Sequence, residues 1–148
     1  MKVVSLISRL VVGAVFIFSG FVKAIDPLGS TYKFIDYFDA FKLEFLSPVA
    51  FFLSISLSSA EMLIGFALFL CLRMRITSWG LIFFMSFFTI LAFVIALTNP
   101  VTDCGCFGDA FIMTNWQTFW KNIILWIFVA IIFIYRKKYS VIYNLKTE

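Results

Sequence analysis

ITSWGLIFFMSFFTILAFVIAL, residues 76–97, contains neither a charged side chain nor a proline. At a rise of about 1.5 Å per residue, a helix of this length crosses a hydrocarbon core about 30 Å thick. Basic residues Arg73 and Arg75 precede it and Asn99-Pro100 ends it, as expected where a span meets water on both sides. The rest of the chain agrees. Of its 148 residues 63% are hydrophobic and 14% are charged, with 21 Phe and no His. A soluble domain carries about 25% charged residues, so this chain has too few polar side chains to cover a water-facing exterior. The exterior must face a bilayer instead.

Working outward, three more stretches have spanning length. Residues 3–24 are apolar apart from a few serines, Arg9 and Lys23. Residues 47–72 carry Glu61 near their middle. Residues 116–136 open with Trp116, Phe119 and Trp120, an aromatic belt in which Lys121 can snorkel back to the interface. The first stretch also has the outline of a signal peptide. Lys23 at the would-be cleavage site and the lack of a small-residue pattern favour retention as a helix. Between the first two spans, Asp26-Pro27-Leu28-Gly29-Ser30 reads as a break. Residues 31–46 then place Phe34, Phe38, Phe41 and Phe45 on one helical face, with Lys33, Asp36 and Lys42 elsewhere. Two readings stand for this segment: an amphipathic helix lying in the interface, or a connector packed over the end of the bundle. The expected fold is all-α, a single domain over residues 1–148, with four transmembrane helices at about 3–24, 47–72, 76–98 and 116–136 and an interfacial amphipathic helix between the first two.

Basic residues set the orientation. Lys2, Arg73, Arg75, Arg136, Lys137, Lys138 and Lys146 fall at one side, and Lys23, Lys33, Lys42 and Lys121 at the other. The positive-inside bias puts both termini in the cytoplasm. No basic stripe with stacking aromatics in a polar setting accompanies the net charge of +4, which argues against nucleic-acid binding.

That orientation sends NPVTDCGCFGD, residues 99–109, to the outer side, an oxidising space in a bacterium. Pro100, Gly105 and Gly108 preclude a regular helix through it. A disulfide needs Cα atoms about 4.4–6.8 Å apart, and an extended Cys104-Gly105-Cys106 unit sits at the upper edge of that range. Gly105 lets the backbone fold to close it, under strain. A strained disulfide exchanges readily, and one closing so short a loop adds little stability. Thiol–disulfide exchange is the leading reading. A local clip, a metal site with Asp103 and Asp109, and idle thiols stay open beside it. Asp103 and Asp109 repel a thiolate by like charge. Cys71, a membrane thickness away, reads as a small core side chain.

Within the spans, Arg9, Gly13, Phe16, Gly20 and Lys23 share one helical face, and Ser54, Ser58, Glu61 and Gly65 share another. Small residues let helices approach closely in lipid, and charges there turn to the interior. Arg9 and Glu61 are expected to face one another, Arg9 reaching across one to two turns. Arg9, Ser19, Lys23 and Glu61 form a candidate polar pocket, for a quinone head group, a proton path or another substrate. The alternative is a structural ion pair fixing helix register.

The pattern Arg9, Gly13, Phe16, Ser19-Gly20, Lys23, Asp26-Pro27 and Gly29 resembles the first-helix signature of DoxX-like membrane proteins. Cys104-Gly105-Cys106-Phe107-Gly108 resembles the cysteine loop of their MauE branch. This resemblance implies a bacterial inner-membrane four-helix protein of redox metabolism, working with a periplasmic thioredoxin-like partner. Disulfide-generating quinone reductases relay electrons through two cysteine pairs. By analogy, a single outer pair needs a partner's second pair or a direct route to quinone. Cys104 and Cys106 are the expected redox residues. A non-enzymatic subunit that anchors or assembles a redox complex is the alternative.

Overall fold

The structure, a computed structural model, describes residues 2–101, 105, 107 and 112–139. Its helices are α1 (Lys2–Ile25), α2 (Pro27–Ala40), α3 (Ala50–Phe69), α4 (Met74–Thr98) and α5 (Asn115–Tyr139), with a 3₁₀ helix, Glu44–Val49, leading into α3. Four stretches are long and apolar enough to cross a membrane: Val3–Ile25, Glu44–Phe69, Met74–Thr98 and Asn115–Arg136. Their outer faces are bare hydrocarbon, with Phe52, Leu63, Phe83 and Ile134 each about 70% exposed. Such a surface is stable only in lipid. The expected bundle of four transmembrane helices is the fold.

α1 and α3 run antiparallel in intimate contact. A Cβ at Gly20 would lie 2.7 Å from the Ser58 carbonyl oxygen, and one at Gly65 would lie 2.9 Å from that of Gly13. The two glycine-bearing faces read from the sequence therefore meet, backbone against backbone. Between those contacts, Gly65 also abuts Ile17. This register puts Glu61 level with the turn around Ile17. α4 and α5 pair through side chains: Trp126 donates its Nε1–H to Thr89 Oγ1 at 3.0 Å. Phe16, Leu81, Met85, Leu125 and Val129 then fill the centre.

The segment between the first spans differs from its expected bounds. Asp26 caps α2 rather than ending order: its carboxylate accepts the Gly29 N–H at 2.9 Å, and Pro27 occupies the first turn. Proline there sacrifices no intrahelical hydrogen bond. The helix therefore starts before the predicted Thr31 and stops at Ala40, where Lys42 adopts a left-handed φ of 58°. Phe41 and Phe45 fall outside it, and Phe45 is 74% exposed. The face turned to the bundle is Ser30, Lys33, Phe34 and Tyr37, which line its interior cavity. α2 is thus a connector laid over one end of the bundle, with Leu28 and Tyr32 exposed on its other side.

At that end, α4 closes on Asn99 in the left-handed conformation, its N–H bonded to the Ile95 carbonyl. α5 opens with a reciprocal cap: Thr114 N–H donates to Gln117 Oε1 at 3.0 Å, and Gln117 N–H to Thr114 Oγ1 at 3.3 Å. This is the capping-box arrangement. The buried Asn115 donates through Nδ2 to Asn99 Oδ1 and to the Val101 carbonyl, both at 2.7 Å. One amide thus ties the departing chain to the returning chain, fixing the base of the cysteine loop.

The glycine contact gives a direct test. Gly20→Ala should lower unfolding stability by about 1–3 kcal/mol, because two backbones must part to admit the methyl. Gly80→Ala, where an added Cβ meets nothing within 4 Å, should not destabilise. Thermal unfolding of the two purified variants checks the difference.

Candidate functional site

Lys23 and Glu61 form the buried centre of the site. Lys23 Nζ donates to Glu61 Oε1 at 2.6 Å and Oε2 at 2.8 Å, and to Ser19 Oγ at 3.1 Å. Both side chains are only 7% exposed. The pairing corrects the expected Arg9–Glu61 contact, and helix geometry explains why. Side chains on an α-helix lean toward its N-terminus. On antiparallel helices, Lys23 leans from its end of α1 toward the middle while Glu61 leans from α3 toward it. Arg9 leans the same way as Lys23, which from its position about 12 Å along the axis carries it away from Glu61. Ser19, one turn before Lys23, completes the ammonium's coordination.

This pair lies on the wall of a cavity of about 100 Å³, enough for several waters. Phe16, Phe34, Phe84 and Phe88 give it aromatic walls. Its polar rim is made by Ser19, Lys23, Ser30, Lys33, Tyr37, Glu61, Lys121 and Asn122. Among the described residues three lysines thus face one carboxylate, an excess of positive charge. Two groups are poised within it. Ser30 is 5% exposed, and its hydroxyl has no hydrogen-bond partner among the described residues. Asn122, also 5% exposed, donates a long 3.4 Å bond to the Phe88 carbonyl.

The cysteine loop meets the same cavity. Cys104 and Cys106, with Asp103 and Asp109, lie outside the described residues. Gly105 and Phe107, the neighbours of Cys106 in the chain, are described, and both line the cavity. Gly105 has a φ of +61°, which side-chain-bearing residues rarely adopt, and a Cβ there would lie 3.0 Å from Lys33 Cγ. Phe107 packs edge-on against Phe18 at 5.7 Å between centroids, and Lys121 Nζ lies 4.2 Å from its ring centre. Lys121 therefore turns to the loop, as a cation–π partner.

Among the expected pocket residues, Ser19, Lys23 and Glu61 converge on the cavity and Arg9 does not line it. Arg9 is buried elsewhere along α1. Cys71 sits in the turn after α3, half-buried and with a φ of 53°, at the far end from the cavity. Ser30, Lys33, Tyr37, Lys121 and Asn122 were not foreseen. A polar amide inside an apolar span was the available signal for Asn122, and the i, i+3, i+4, i+7 spacing of Ser30, Lys33, Phe34 and Tyr37 the signal for α2.

The lipid-exposed helices and the polar cavity at one end define a multi-pass helical membrane protein. Over residues 1–135 the chain matches the family described as Methylamine utilisation protein MauE, and it belongs to that family. It matches no curated protein and no solved structure.

Breaking the ion pair is expected to be worse than removing it. Lys23→Met or Glu61→Leu alone leaves a buried charge unpaired, a loss of about 3–5 kcal/mol. The double variant should recover most of that, because two apolar side chains replace two desolvated ions. Unfolding of the four proteins in one detergent gives the cycle, and additive losses would contradict direct coupling.

Proposed function

We propose that this MauE-family protein carries out thiol–disulfide exchange through Cys104 and Cys106 at the periplasmic face of a bacterial inner membrane, with both termini in the cytoplasm. Its partner is a thioredoxin-like protein. A thiolate of the reduced partner attacks the Cys104–Cys106 disulfide, forming a mixed disulfide and releasing one cysteine. The partner's second thiolate then displaces the other cysteine, leaving the partner oxidised and this pair as a dithiol. Strain in so short a disulfide favours this direction. The dithiol returns to the disulfide by giving two electrons and two protons to a membrane quinone, which becomes a quinol.

The observation that carries this reading is the seating of Gly105 and Phe107 on the cavity built around Lys23 and Glu61. A redox loop needs fixed placement and a favourable field. Asn115 ties its base, and Lys33 and Lys121 reach the residues on either side of Cys106. The Lys121 ammonium over Phe107 is a cation of the kind that favours a thiolate and counters the repulsion expected from Asp103 and Asp109. Ser19, Lys23 and Glu61 line the same cavity as Gly105 and Phe107.

Cys104→Ser and Cys106→Ser test it. Acid quench and alkylation in cells should trap a mixed disulfide with at least one variant, and both should lose function. In reduced intact cells, an outward-only thiol probe should label Cys104 and Cys106 and spare Cys71. If neither variant traps a partner and both keep full function, the pair is only a clip and the protein an anchoring or assembly subunit.

A further inference from the structure

A second feature adjoins the cavity. A shallow apolar groove runs along the lipid-facing seam between α1 and α5, lined by Val11, Gln117, Trp120, Ile124 and Phe128. Lys121 and Leu125 line both the groove and the cavity. Those two side chains are therefore all that stands between the polar interior and the lipid-facing groove at this level.

From this adjacency we infer that the protein binds a prenyl quinone laterally, with the head group in the cavity and the isoprenoid tail passing between Lys121 and Leu125 into the α1–α5 groove. Each part of the lining matches one part of such a molecule. Flat aromatic walls at Phe16, Phe84 and Phe88 accommodate a planar ring. The carbonyl oxygens accept hydrogen bonds, and the cavity supplies donors to meet them: the buried Ser30 hydroxyl, without a partner among the described residues, and the Asn122 amide with its single long bond. The groove is hydrocarbon where a tail would lie, and Ile124 is 55% exposed along it. A soluble oxidant would gain nothing from such a groove. This inference rests on the redox reading above, and it specifies where the electron acceptor sits and how it arrives.

The test is a titration of the purified full chain in nanodiscs with two quinones, a long-tailed ubiquinone and its single-isoprene analogue. Ile124→Trp fills the groove at a lipid-facing position and should not disturb folding. It should weaken the long-tailed quinone by about tenfold, the loss of roughly two buried methylenes, and leave the short analogue unchanged. Ser30→Ala should weaken both by about fivefold, the loss of one hydrogen bond. Failure of the unsubstituted protein to bind either quinone would overturn the inference, as would an unchanged affinity in both variants. The excess of lysines makes an acidic phospholipid the rival occupant. Displacement of the short quinone by phosphatidylglycerol at the levels found in membranes would decide for that rival and against the quinone. Partner trapping through Cys104 and Cys106 reads out separately, so loss of quinone binding with trapping intact removes this inference and leaves disulfide exchange standing.

Discussion

Two full charges, Lys23 and Glu61, are held 2.6 Å apart inside a bundle whose exterior is hydrocarbon. Desolvating both ions costs several kcal/mol each, and only good geometry with further hydrogen bonds offsets it. Both carboxylate oxygens and Ser19 meet the ammonium, so the condition is satisfied. The contact also fixes the axial register of α1 against α3, since sliding by one turn would move the partners about 5.4 Å apart. Gly13, Gly20 and Gly65 make the same register the one in which the backbones can touch. Polar pairing and close packing thus specify one arrangement together.

The other features at this end follow from that register. With α1 and α3 locked, α2 leaves α1 through the Asp26 cap and lies over the opening, presenting Ser30, Lys33 and Tyr37 inward. α5 brings Lys121 and Asn122 to the same space, and Asn115 ties the loop's two ends. Gly105 and Phe107 then settle between Lys33, Phe18 and Lys121. Gly105 and Phe107 are thus placed by contacts from α1, α2 and α5.

Much of the fold was legible because the membrane signal is strong: four long apolar runs and their basic flanks identify the spans directly. The two small-residue faces of α1 and α3 were legible for the same reason, as periodicity alone aligns them. The ion pair was misread. The sequence puts Lys23 in the candidate pocket with Glu61 but pairs Glu61 with Arg9. Spacing within each helix says nothing of register between them, but the lean of side chains toward each N-terminus does. α2 was drawn too late because Asp26-Pro27 reads as a break when its capping role is overlooked. The phenylalanine spacing defines an apolar face, whereas the face that meets the cavity is Ser30, Lys33, Phe34 and Tyr37. The convergence of Lys33 and Lys121 on the loop joins residues far apart in the chain and leaves no local trace.

The central claim is that the cysteine loop is seated on a cavity held together by Lys23 and Glu61. The most direct measurement is cross-linking in native membranes, in a chain freed of its own cysteines by serine substitution. Phe18→Cys with Phe107→Cys, whose rings lie 5.7 Å apart, should join efficiently through a short bifunctional thiol reagent, and joining should fall sharply when Glu61→Leu is added. Trp79→Cys with Phe133→Cys, 5.2 Å apart at the far end of the bundle, serves as the control for folding. Cross-linking of the control without cross-linking of Phe18→Cys to Phe107→Cys would contradict the account.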